Sequence, residues 1–171
     1  MLDKLPIAIS VPHAGLKVPS EVREINLLSS DEIREDGDVG AQEIYFGLKN
    51  YVEKFYASDI ARAFVDLNRV ETDFSRDGVI KSHTCWDQKV YKDKLTMEVV
   101  KKLLSKYHRP YHEALSQCAE TGVLLCVDCH TMAAKAPSVA PDAYSFRPNV
   151  CIGDGLGACP PKWVNALVDS F

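Results

Sequence analysis

The sequence has no apolar run approaching the ~18 residues that a membrane-spanning helix needs. Its first residues, Met1-Leu-Asp-Lys-Leu-Pro-Ile7, carry no basic segment leading into a long apolar core. These two absences predict a chain that neither enters a membrane nor is exported, with the cytosol as its expected compartment. There is no excess of basic residues either: 20 Lys and Arg stand against 24 Asp and Glu, a net charge of −4. A surface that tracks a phosphate backbone is normally basic, so nucleic acid is not an expected partner. The glycine-rich Gly153-Asp-Gly-Leu-Gly157 lacks the lysine of a phosphate loop. The six cysteines lie largely in apolar runs of a chain without an export signal, which predicts reduced core residues rather than disulfides. Cys126-Val-Asp-Cys-His130 has the spacing of a c-type haem attachment. Residues three apart on a strand point to opposite faces, however, which argues against a haem, a zinc knuckle or a redox pair there.

What is present is ordinary in amount and pointed in placement. The 171 residues are 46% hydrophobic and 26% charged, the profile of one globular domain. A chain of this size can bury roughly 70% of the surface that it exposes unfolded. Val123-Leu-Leu-Cys-Val-Asp-Cys-His-Thr-Met132 begins as an apolar strand and breaks into Asp128 and His130, which the alternation of a strand places on one side. Ile7 to Val11 reads as a second strand, ended by Pro12 and followed by His13 and Gly15. Ile60 to Arg69 reads as a third, closing in Asn68 and Arg69, and Asn149 to Gly157 as a short fourth with Asp154 at its end. Helices are expected after Val18 with Ser20 as N-cap, from Asp38 to Phe55, from Thr96 to Ala119 with a kink or break at Pro110, and from Pro160 with Trp163, Ala166 and Leu167 facing the core. Alternation of strands and helices predicts an α/β fold with a mostly parallel or mixed sheet flanked by helices.

In such sheets ligands gather at the carboxyl ends of the strands, so two strands that each release a histidine suggest one site. Asp36 and Asp38, near the start of a helix, suit either a cap or a metal ligand. An arginine fork with an asparagine beside it suits a carboxylate. The segment from Glu71 to Tyr91 reads as a binding loop or lid. His108 and His112 stand at i and i+4, but Pro110 lies between them and no H-E-x-x-H pattern is present, which favours packing or support over ligation. Together these features indicate a metal hydrolase acting on a small acidic amide.

Five short segments, in order, resemble the N-formylglutamate amidohydrolase family: Ser10-Val-Pro-His-Ala-Gly15 with Pro19, Asp36-Gly-Asp-Val-Gly-Ala41, Val65-Asp-Leu-Asn-Arg69, Pro110-Tyr-His112 and Asp128-Cys-His-Thr-Met132. The resemblance implies a zinc-carboxypeptidase-like (phosphorylase/hydrolase-like) fold and one divalent zinc ion. Carried over residue by residue, it implies His13, Asp38 and His130 as ligands, with Asp36 or Glu21 as substitutes for the acid. It also implies Asn68 and Arg69 as the grip on a substrate carboxylate, and Asp128 as a residue orienting a ligand from behind. The expected substrate is a small acidic N-acyl amino acid, such as N-formylglutamate, or a peptide-like fragment. Members of the family are usually longer, and the segment that carries their general-base glutamate has no match before Phe171. Residues 1–171 are thus expected to form a single catalytic-type domain, either a fragment lacking a C-terminal segment or a compact relative whose base comes from elsewhere, with the base unassigned. The alternative is a non-catalytic metal- or carboxylate-binding relative.

Overall fold

The computed structural model describes residues 4–155 and 157–171. Met1–Asp3, where the segment read for a leader begins, and Leu156 of the glycine-rich turn lie outside the described residues. The architecture is α/β. Strand β1, Leu5–Val11, lies between β2, Val52–Ala57, and β3, Leu125–Asp128, in a parallel sheet of order β2-β1-β3. A central parallel strand is covered on both faces, and β1 obeys this: Ala8, Ile9, Ser10 and Val11 are all buried. Its register opposes Val11 to Ala57 and Ser10 to Asp128, so all three strands end at the same edge. The chain leaves that edge at His13 from β1 and at His130 from β3.

The sheet packs on Ile9, Val11, Ala14, Ala41, Val52 and Cys129, with Tyr45 and Phe55 beside them. A second apolar cluster, around Phe64, Val65, Leu67, Val90 and Leu103, encloses the irregular chain between β2 and the long helical stretch. The cysteines are free thiols, and Cys126 is exposed where Cys129 is buried, the opposite facing that the strand alternation predicts.

Several expected elements take another form. Val52 to Phe55, read as the end of a helix, belong instead to β2. Only Ala41–Tyr45 is α-helical there, as α2, followed by a 3₁₀ turn at Phe46–Asn50. Ile44 and Leu48, the residues of the supposed apolar face, are 60% and 40% exposed, so no core supports a longer helix. Ile60–Arg69 is not a strand. Beyond bridges at Ile60 and Ala61 no ladder forms: Phe64 N–H donates to Ala61 O (3.0 Å) and Arg69 N–H to Asp66 O (3.2 Å), and Ala63 through Leu67 are all buried rather than alternately so. Asn149–Gly157 forms no strand among its described residues.

Ser20 caps no helix; it donates to Glu21, and the nearby turn is a short 3₁₀ segment at Arg23–Ile25. The well-capped helix is α1, Ser30–Asp36, where Ser29 and Glu32 form a reciprocal capping box. The long helix divides as Pro110 requires, into α3 (Met97–Leu103), a π-helical turn (Leu104–His108) and α4 (Arg109–Cys118). The final helix, α5 (Pro161–Val168), buries no residue: Trp163 is half-buried and Leu167 is 43% exposed, in place of the core-facing positions expected. Residues 71–91 do form a long irregular segment, but it is packed, with Val79, Lys81, Thr84 and Val90 buried.

Gly15 shows how closely the β1 loop is held. A Cβ there would lie 2.3 Å from the carbonyl carbon of Asp59, a backbone atom that cannot swing away. Gly15→Ala is therefore expected to destabilise the fold by about 1–3 kcal/mol, the usual cost of overpacking. Urea unfolding of the variant and its parent measures this, and unchanged stability would show that the loop yields.

Candidate metal centre

The His13 loop, the Gly37–Val39 turn between α1 and α2, and the chain following β3 meet above the carboxyl edge of the sheet. Asp38 N–H donates to the carbonyl of His13 (3.2 Å), and Thr131 N–H donates to Asp38 Oδ2 (3.2 Å). The Asp38 carboxylate lies between two imidazoles, 3.5 Å from His13 Nδ1 and 2.9 Å from His130 Nδ1. One potential ligand atom from each of His13, Asp38 and His130 lies within 4.8 Å of the other two. Two imidazole nitrogens and one carboxylate oxygen form the donor set of a catalytic zinc site, in which a further coordination position stays open.

A carboxylate stands behind each imidazole. His13 Nε2 lies 2.8 Å from Asp66 Oδ1, and His130 Nε2 lies 2.9 Å from Asp128 Oδ2. Such partners fix the ring orientation of a metal-binding histidine and raise its basicity. They leave both Nδ1 atoms turned toward Asp38. Asp128 is itself held by Ser10 Oγ at 2.6 Å, and that hydroxyl meets Tyr111 OH at 2.8 Å. Asp66, on the segment misread as a strand, had no role assigned from the sequence. The visible signal was a lone acid inside the otherwise apolar run Ala63–Leu67.

The electrostatics follow from these contacts. Burial alone would raise the Asp38 carboxyl, but hydrogen bonds with His13 and His130 outweigh it and hold the group well below the usual carboxylate range. Burial would likewise raise Asp66, and it is overcome by the hydrogen bond and charge of His13 together with Arg62 and Lys81. For His130 burial works downward; hydrogen bonds with Asp128 and Asp38 prevail and push the imidazole up to about 9.

The other candidates occupy distinct places. Asn68 Nδ2 is 3.4 Å from His130 Nε2, at the rim of the cluster. Arg69 donates to the carbonyl of Asp77 from Nε (3.0 Å) and to its Oδ2 from an Nη (2.9 Å). Arg69 and Asp38 line one cavity of about 260 Å³, together with Asp77, Arg62 and Arg147. Asp36 closes α1 rather than capping the next helix. Fully buried, it accepts from Cys85 N–H at 2.6 Å and from Lys81 Nζ at 3.4 Å. Glu21 accepts from Lys106 Nζ (2.7 Å) and Tyr107 OH (2.9 Å). Neither carboxylate belongs to the His13–Asp38–His130 group.

The sequence profile described as N-formylglutamate amidohydrolase matches residues 5–171, nearly the whole chain. The chain belongs to the N-formylglutamate amidohydrolase family. A curated relative, the N-formylglutamate deformylase of Pseudomonas putida, is 26% identical over 146 residues, covering 78% of this chain and 54% of the relative. The crystal structure of N-formylglutamate amidohydrolase from Ralstonia eutropha JMP134 superposes with a TM-score of 0.65 at 22% identity, over 76% of this chain and 54% of that one. The likeness supports the α/β fold. The chain spans about half the length of each of these relatives.

Two expectations follow. Where zinc binds this cluster, Asp66→Asn and Asp128→Asn should each weaken its affinity by about 10–100-fold, the usual cost of losing the carboxylate behind a metal-binding histidine; competition with a chromophoric chelator measures it, and parental affinity in both would contradict the arrangement. Lys81 is fully buried against Asp36 (3.4 Å), Asp66 (3.7 Å) and Asp77 (2.9 Å). Lys81→Met leaves two buried acids short of a cation and should cost about 3–5 kcal/mol in denaturant unfolding; a change under about 1 kcal/mol would show that the acids find other partners.

Proposed function

We propose that the protein is a zinc-dependent hydrolase cleaving the amide bond of an N-formyl amino acid such as N-formylglutamate, with one zinc ion held by His13, Asp38 and His130. The observation that carries this reading is the convergence of both imidazole Nδ1 atoms on the Asp38 carboxylate, each ring braced at Nε2 by a second acid. Family membership and the names of the relatives supply the reaction class. Zinc supplies Lewis acidity toward the amide carbonyl and toward water.

The protein's own groups provide the rest. Asp66 and Asp128 hold the two imidazoles, so that binding a metal needs little rearrangement of the rings. Arg69 faces a substrate carboxylate after exchanging Asp77, whose half-exposed carboxylate takes one Nη while its main-chain carbonyl takes Nε. Asn68 offers an amide beside the cluster. A dicarboxylate amide thus places one acidic group on Arg69 and its scissile carbonyl near Asp38.

Release of formate from N-formyl-L-glutamate by the zinc-supplemented protein tests this. Arg69→Ala is expected to raise KM by roughly tenfold or more while leaving zinc content unchanged, as loss of a charge-assisted contact to substrate should. Zinc bound at one per chain without any formate release would contradict the hydrolase and leave a non-catalytic metal-binding relative.

A further inference from the structure

His108 and His112, spaced as a possible metal pair, serve a different end. The π-helical turn Leu104–His108 precedes α4, which has Pro110 in its first turn, and the two rings come to lie 4.2 Å apart between centroids. Wide turns of this kind commonly mark functional positions in helices. His108 Nε2 lies 2.8 Å from the carbonyl oxygen of Arg69, and His112 Nε2 lies 2.9 Å from that of Leu67. A carbonyl only accepts, so both rings donate from Nε2. The two donors therefore grip the chain on either side of Asn68.

The N–H side of the same tripeptide is held separately. Asn68 N–H donates to Asp66 Oδ1 (3.0 Å), and Arg69 N–H donates to the carbonyl of Asp66 (3.2 Å). Asp66 also carries His13. The segment Leu67–Arg69 is thus fixed to the metal cluster from one side and to the helix from the other. His108 is buried and its Nδ1 has no partner, so turning the ring would move the orphaned atom without supplying a second donor for Arg69. Neither histidine belongs to the His13–Asp38–His130 group or lines the cavity beside it.

We propose that His108 and His112 are positioning residues: by donating to the Arg69 and Leu67 carbonyls they set Asn68 and Arg69 against the candidate metal centre, so that capture of the substrate carboxylate depends on two side chains outside the His13–Asp38–His130 group. The role of Asn68 and Arg69 rests on the proposed function; the grip itself does not. Its test has two separate readouts.

The first is long-range ¹⁵N–¹H spectroscopy on the metal-free parent, in which both rings are expected as the Nε2–H tautomer. The second compares His112→Leu, which removes the donor, with His112→Gln, whose amide nitrogen reaches as far as Nε2. His112→Leu is expected to keep its zinc content, to speed amide exchange at Asn68 and Arg69, and to raise KM for N-formyl-L-glutamate by roughly tenfold with little change in kcat. His112→Gln is expected to restore most of both. Should the leucine variant not fold, His112→Asn, with a shorter reach, takes its place and is expected to lose the same properties. An Nδ1–H tautomer at either ring, or unchanged exchange in a folded His112→Leu or His112→Asn, overturns the grip. A tenfold change in KM that glutamine fails to restore overturns the assigned mechanism. Confirmed tautomers in the parent and faster exchange in His112→Leu, with no formate released by the parent, would leave the grip standing and remove the hydrolase reading.

Discussion

One carboxylate, Asp38, shares its two oxygens between His13 and His130, and the surrounding loops are arranged to keep it there. Its backbone N–H holds the His13 carbonyl, and the Thr131 amide holds its Oδ2. Thr131 Oγ1 donates to the Val39 carbonyl at 2.8 Å, and Tyr45 OH to the His130 carbonyl at 2.8 Å. The first of these bonds ties the turn before α2 to the chain leaving β1, and the other three tie that turn or α2 itself to the chain leaving β3. The parallel sheet makes this possible: with Ser10 opposite Asp128, the ends of β1 and β3 lie side by side, and the histidines two residues beyond each end arrive together.

The same arrangement needs buried charge, which is costly to take from water unless each group is paired and hydrogen-bonded. Asp36 and Asp66 are buried beneath the cluster, and Lys81 lies fully buried between them and Asp77. Arg62 meets Asp66 at 2.9 Å and the Asp36 carbonyl at 3.3 Å. Asp77 then faces both Lys81 and Arg69, so the network that supports His13 from below ends at the arginine suited to a substrate carboxylate. Support for the His13–Asp38–His130 cluster and presentation of Arg69 are therefore parts of one charge network.

The ends of β1 and β3 are readable because each is a largely apolar run that gives way to a histidine, His13 after Pro12 in one and His130 after Asp128 in the other. His13, Asp38 and His130 could be named from such runs and from the family's short motifs. β2 was hidden because Ile44, Leu48, Val52 and Phe55 fall at helical spacing, yet Val52 and Phe55 pack on the sheet core as part of a strand while Ile44 and Leu48 stay exposed. Asp66 was hidden for the opposite reason: a run buried on all sides resembles a strand, and its acid gains meaning only when His13, 53 residues away in sequence, reaches it. Ser29-Ser-Asp-Glu32 did carry a capping-box signature for α1 and is a local signal that could have been used. The pairing of His112 with a carbonyl 45 residues earlier in the sequence has no such local signature.

The most direct test is the zinc stoichiometry of the purified protein after zinc loading and removal of excess, measured by elemental analysis for the parent and for His13→Ala, Asp38→Ala and His130→Ala. The account predicts about one ion per chain in the parent, by the four-coordinate logic of a three-ligand zinc site, and its loss in all three variants while they remain folded. A parent that holds no zinc, or variants that keep the parental content, would contradict it.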